Sequence, residues 1–213
     1  MATVNDIYAF LNDLAPVRYQ MDFDNAGFLV GDGSAAVEHV LLALDITDDV
    51  IAEATALRAQ LIVSHHPLIF TPLRHATTDD LTGRKVLALA RNGIAAVCMH
   101  TNLDIADGGV NDALAAKLEL DNVRVLNPAG EDDAGQPYGL LRIGETEQTD
   151  VRTFAAFVKE KLACPGLRFA DAGRPVRCVA VGGGSCGSAI DEVLAAGCDT
   201  FVTADLKYHQ FEE

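Results

Sequence analysis

Short apolar runs alternate with helical patterns along this sequence, and that alternation constrains the fold more than any other feature. EHVLLALDI, AQLIVSHHP and GIAAVCMHTNLD each hold an unbroken apolar stretch of strand length. Strands of that texture are buried on both faces, as in a parallel sheet covered by helices. Helices are predicted in VNDIYAFLNDLA, where Val4, Ile7, Phe10, Leu11 and Leu14 share a face behind Thr3 as cap and before Pro16, and in TDDVIAEATALRA, GRKVLALARN and GGVNDALAAKLEL. After Val123 the texture changes: NPAGEDDAGQP reads as turns, YGLLRIG as a strand and TDVRTFAAFVKEKL as a helix. The alternation resumes with PVRCVAVGGG, CGSAIDEVLAAG and CDTFVTADLKYH. The expected class is α/β, two α/β subdomains with mixed, largely parallel sheets. The expected divisions are 1–125, a smaller subdomain at 126–174, and a segment at 175–213 that returns to the first layers.

Several function classes are disfavoured before any motif is weighed. The first thirty residues interleave Asn5, Asp6, Asn12 and Asp13 with apolar positions, unlike a signal peptide, and no apolar run approaches the ~18–20 residues of a membrane span. Five cysteines, an odd number without a C-x-x-C pair, read as small buried hydrophobes of a reduced compartment. A cytoplasmic protein with no membrane partner is expected. The net charge of −15 opposes nucleic-acid binding. It leaves room for a small-molecule substrate, even an anionic one, because a bound cation inverts the local field.

Ligands of parallel α/β sheets collect beyond the carboxyl ends of the strands. Those positions hold Asp45 after the first run, Ser64, His65, His66 and Pro67 after the second, His100, Thr101, Asn102 and Asp104 after the third, and Thr203, Asp205 and His209 after the last. Imidazole and carboxylate suit zinc, iron(II) or manganese(II), and the absence of cysteine there argues against a thiolate site. Adjacent histidines on a strand point to opposite faces, but at a strand end running into Pro67 they can splay, each toward its own metal, with Asp104 bridging. Two metals would bring the pKa of a bound water toward neutrality. A His pair alone is more often a hydrogen-bonded loop feature; the second cluster, HTNLD, shifts the balance toward metal.

GGGSCG offers a rival motif, since Gly182, Gly184 and Gly187 satisfy G-x-G-x-x-G and Asp205 follows 18 residues after Gly187. A dinucleotide fold needs a further βαβ unit after that acid, so a tight strand-to-helix turn is the stronger expectation. His39, His75 and the EDDAG stretch read as surface.

SHHPLIF, HTNLD with GGVND, TADLKYH, MDFDNAGFLVGD and VAVGGGSCGS together resemble the GTP cyclohydrolase 1 type 2 homologs, also called Nif-three-like dinuclear-metal hexameric proteins. The resemblance implies two divalent metal ions, a toroidal homohexamer, and His65, His66 and Asp104 as metal ligands. It places His100 beside the metals as a supporting or substrate-contacting group, and Asp205 and His209 near the site. Family members continue to a G-H-x-x-x-E motif that completes the ligand set. This sequence stops at HQFEE, so two of the five implied ligands are expected to be lacking, with His209 and Glu213, at i and i+4, as the residues that could imitate them. Ala204 also stands where the family carries glycine.

The function implied is a divalent-metal-dependent hydrolase in which hydroxide generated at the metals attacks a purine nucleotide or related heterocycle. A metal-binding scaffold without substantial turnover is the alternative.

Overall fold

The computed structural model describes residues 1–212, Glu213 lying outside the described residues, and they divide into two compact units at 103/104.

In the first unit, helix α1 (Val4–Leu14) begins where expected: Thr3 Oγ1 accepts from Asp6 N–H while the Asp6 carboxylate accepts from Thr3 N–H, a reciprocal cap. Strands β1 (Gly27–Val30) and β2 (Val40–Ala43), helix α2 (Asp48–Ala56), β3 (Leu61–Ser64), helix α3 (Leu81–Asn92) and β4 (Ala95–Cys98) follow. Thr47 and Asp80 cap α2 and α3 through backbone N–H groups, and Gly93, at φ 65°, ends α3 in the left-handed conformation that L side chains resist. The sheet order is β1-β4-β3-β2, with β2, β3 and β4 parallel and β1 antiparallel at one edge. Ile62 and Ala96 pack on one face against Ile51 and Ala54 of α2 and Leu89 of α3. All four residues of β4 are buried, which is why its sequence shows no alternation. Immediately after β1, Gly31 has φ 117°, and a Cβ there would stand 2.7 Å from Ala95 Cα, so glycine is required for that approach.

A five-residue helix, α4 (Thr101–Ile105), follows β4. The second unit contains α5 (Val110–Lys117), β5 (Asp121–Leu126), the small ribbon β6 (Gly130–Glu131) and β7 (Pro137–Tyr138), β8 (Leu141–Thr149), α6 (Val151–Lys161), β9 (Val176–Val181), α7 (Ile190–Ala195) and β10 (Thr200–Val202). Its sheet order is β10-β9-β8-β5, with only β9 and β10 parallel. Val179 and Val181 pack with Ala115, Phe154 and Val158 of α5 and α6, whereas Ala180 packs with Val193 of α7. This alternation covers both sheet faces.

The α/β class with two mixed sheets is what the structure contains. The divisions at 125 and 174 differ from the observed one at 103/104. β9 and β10, expected to return to the first layers, pair instead with β8, because strand partnership is a long-range choice that a run of apolar residues does not encode.

Candidate metal centre

The strand β3 ends at Ser64, and the next two residues continue its ladder: His65 N–H donates to Ala43 O and His66 N–H to Leu44 O. The pleat no longer governs beyond the strand, so the two imidazoles do not separate to opposite faces. Their centroids are 5.1 Å apart, and that of His100, just past β4, lies 5.2 Å from His65 and 5.7 Å from His66. One ring nitrogen from each of the three can be chosen so that all lie within 4.8 Å of one another, the geometry of a cation site.

What fixes the rings is as informative as their proximity. His65 Nδ1 lies 2.9 Å from Met99 O, His66 Nδ1 2.9 Å from Asp45 Oδ1 and His100 Nδ1 2.8 Å from Asp24 Oδ1. A carbonyl or carboxylate oxygen can only accept, so each imidazole donates its Nδ1–H and, when neutral, keeps its Nε2 lone pair. Oxygen acceptors behind the distal nitrogen orient a ligating histidine and raise its basicity. The donor set therefore fits a divalent cation of the zinc, iron or manganese type.

Asp24 has the most elaborate surroundings. Its side chain is fully buried, and Oδ1 accepts from Asn25 N–H at 2.7 Å and from His100, while Oδ2 accepts from the Thr101 N–H at 3.0 Å and the Thr101 hydroxyl. Burial by itself would raise its pKa, but these hydrogen bonds, Thr101 and His100 foremost, outweigh it and hold the carboxyl below its ordinary value. Asp45 makes the equivalent contact in a solvent-exposed position. Beneath the site, burial foremost, with the Asp24 charge adding to it, pushes the Cys98 thiol up to about 12; its Sγ–H donates to His65 O at 3.0 Å. That cysteine acts as a core residue, as its sequence context suggested.

His65, His66 and His100 are thus brought together. Asp104 belongs to the second unit, where it is 7% exposed. Asp205 and His209 also lie there, both exposed; Asp205 has φ 53°, and His209 sits in a single 3-10 turn, Tyr208–Phe211. The pairing of His209 with Glu213 falls outside the described residues. Sequence reasoning gave Asp24 no role; its signal was a polar DFDNAG stretch between apolar segments, whose long-range partner, 76 residues away, no local pattern reveals.

The glycine-rich segment is the tight turn expected. A Cβ on Gly182 would lie 2.5 Å from Leu141 Cδ2, and Gly184 has φ 69°. Gly183 N–H donates to Asn111 Oδ1 at 2.6 Å and Cys186 N–H to Thr203 Oγ1 at 3.2 Å, so these N–H groups are engaged within the chain rather than offered to a pyrophosphate.

A triad of backed imidazoles at the strand ends of an α/β unit defines a protein with a candidate divalent-metal centre. The chain belongs to the Duf34/NIF3 (NGG1p interacting factor 3) family, whose profile it matches over residues 2–213. It is 40% identical over 217 residues to the GTP cyclohydrolase 1 type 2 homolog of Streptomyces coelicolor, covering 100% of this chain and 76% of the relative. The homolog of the same name from Clostridium perfringens is 35% identical over 208 residues, covering 97% and 78%. Among solved structures, a Bacillus cereus protein related to NIF3 superposes with a TM-score of 0.91 at 26% identity, over 100% of this chain and 84% of the other. A Staphylococcus aureus protein gives 0.89 at 28%, over 99% and 82%. Among the described residues, no helix is long and apolar enough to cross a membrane.

Proposed function

We propose that the chain is a divalent-metal-dependent hydrolase acting at a ring carbon of a purine nucleotide or related heterocycle, and that it works as a cytoplasmic homohexamer. The observation that carries this reading is the convergence of three imidazoles whose Nδ1 atoms are all backed by oxygen acceptors. His65 and His66 would hold metal through Nε2, and the family resemblance adds the Asp104 carboxylate as a further ligand of a two-ion centre. Ions bound there would supply Lewis acidity toward water and substrate. His100, with its Nδ1–H donated to the buried Asp24, has Nε2 available to take a proton from a reacting group and return it. Asp24 stabilises the imidazolium so formed, because its carboxylate is already ionised and anchored. Asp205 and His209 are assigned to substrate contact. The substrate class comes from the name carried by the relatives.

Elemental analysis and native mass of the purified chain, together with GTP turnover before and after chelation, test this reading. Two equivalents of zinc, iron or manganese and a mass of six chains of 22.6 kDa are expected. Turnover should vanish on chelation and in His66→Ala. Full turnover after both treatments refutes the reading, and bound metal without turnover makes the chain a metal-binding scaffold.

A further inference from the structure

Two large aromatic side chains stand in solvent beside the triad, and neither the fold nor the proposed ligand set uses them. Phe23 is 62% exposed and Phe70 49%. Their ring centroids are 6.3 Å apart at 57°, and Phe70 stands edge-on to His100 at 6.4 Å and 88°. A continuous series of rings therefore runs from the imidazoles out to Phe23. The two segments that carry the phenyls are tied together, since Asn25 Nδ2–H donates to Ile69 O at 2.6 Å. Single exposed apolar residues are ordinary, but two phenyls in mutual contact and against a site histidine form a patch that water solvates poorly.

We propose that Phe23 and Phe70 form an apolar wall on which a planar heteroaromatic ring of the substrate rests. The inference rests on the reading of the neighbouring triad as the reaction site. The phenyls touch each other, so no slot is open between them, and a ligand ring lies against their outer faces. A heteroaromatic combines an apolar face for the phenyls with polar edge atoms for the imidazoles, which an aliphatic group does not. Phenyl carbons carry no hydrogen-bonding atoms, so the wall selects planarity and is tolerant of which base it receives.

Equilibrium binding of GMP, AMP, UMP and ribose 5-phosphate to the full chain tests this, because the four share a sugar phosphate and only the last lacks a heteroaromatic base. The nucleotides should bind within about fivefold of one another and each about tenfold more tightly than ribose 5-phosphate, the scale of base–aromatic stacking. In Phe23→Leu/Phe70→Leu that preference should fall to near unity, with metal uptake and ribose 5-phosphate affinity unchanged, while Phe23→Tyr/Phe70→Tyr should keep it. No preference in the parent chain, a preference that survives in the Leu variant, or one that is lost in the Tyr variant overturns the inference. A changed native mass in the Leu variant with the preference intact also overturns it, by making the pair a contact between copies. Metal content and GTP turnover of the same preparations separate the two readings. A phenyl-dependent preference without turnover refutes the hydrolase and leaves the wall standing; turnover without ring preference does the reverse.

Discussion

Replacing Asp24 by asparagine removes one charge and almost no volume, yet it should disturb both the stability of the first unit and the proton transfer proposed for His100. The carboxylate accepts four hydrogen bonds, two on each oxygen, while fully buried. An amide has one accepting oxygen, so in either orientation its NH2 faces a backbone N–H. If the NH2 takes the Oδ2 position, the Thr101 hydroxyl can turn to accept but the Thr101 N–H is orphaned. If it takes the Oδ1 position, the Asn25 N–H is orphaned and His100 must accept at Nδ1, which moves its proton to Nε2 and removes that lone pair from the triad. An orphaned buried N–H costs about 1–3 kcal/mol and each lost charge-assisted bond a similar amount. We expect a destabilisation of about 3–5 kcal/mol in urea unfolding. With His100 as the proton-transfer group, loss of the carboxylate behind it should lower GTP turnover about 100-fold, while metal uptake, read by chelator competition, is retained. The pH dependence has a defined sign. The folded-state pKa of Asp24 is depressed, so its stabilisation is fully present above the unfolded value near ~4 and disappears as pH falls through the folded value. The stability gap between parent and variant should therefore shrink below about pH 4. A variant with parental stability and parental turnover at pH 7 would refute the assignment of Asp24 as the group that positions His100.

Asp45→Asn makes the companion measurement: its contact with His66 is solvent-exposed, so stability should change by less than about 1 kcal/mol while metal affinity falls about tenfold. In the second unit, Asn111 is fully buried, donates to Asp104 O and Leu140 O and accepts from Gly183 N–H. Asn111→Ala should cost about 3 kcal/mol in thermal or urea unfolding through those unpaired groups. Gly31→Ala combines a left-handed φ with a 2.7 Å approach to Ala95, and a loss of about 3 kcal/mol is expected in the same assay. Cys98, with its thiol pushed up to about 12, should resist iodoacetamide at pH 8 in the native chain, followed by peptide mass spectrometry; its modification before unfolding would contradict that burial.

The alternation of apolar strands and patterned helices was readable without coordinates because burial on both sheet faces and on one helix face imposes different periods on the sequence. The cap at Thr3 and the tight turn at GGGSCG were readable for the same local reason. The paired histidines were visible as polar residues where apolar runs stop. Strand order was not: β1 inserts antiparallel beside β4, and β9 and β10 join β8, through pairings between residues far apart in the chain. Nor could local pattern show that His65 and His66 turn to the same side, that Asp24 reaches His100 across 76 residues, or that Phe23 and Phe70 meet. Sequence by itself determined which residue types stand at the ends of the strands, because each element's burial is written in its own few residues. Only the tertiary structure decided which of those residues face one point and which oxygen backs each ring, because hydrogen bonds between distant segments depend on how the strands pair and leave no period to read.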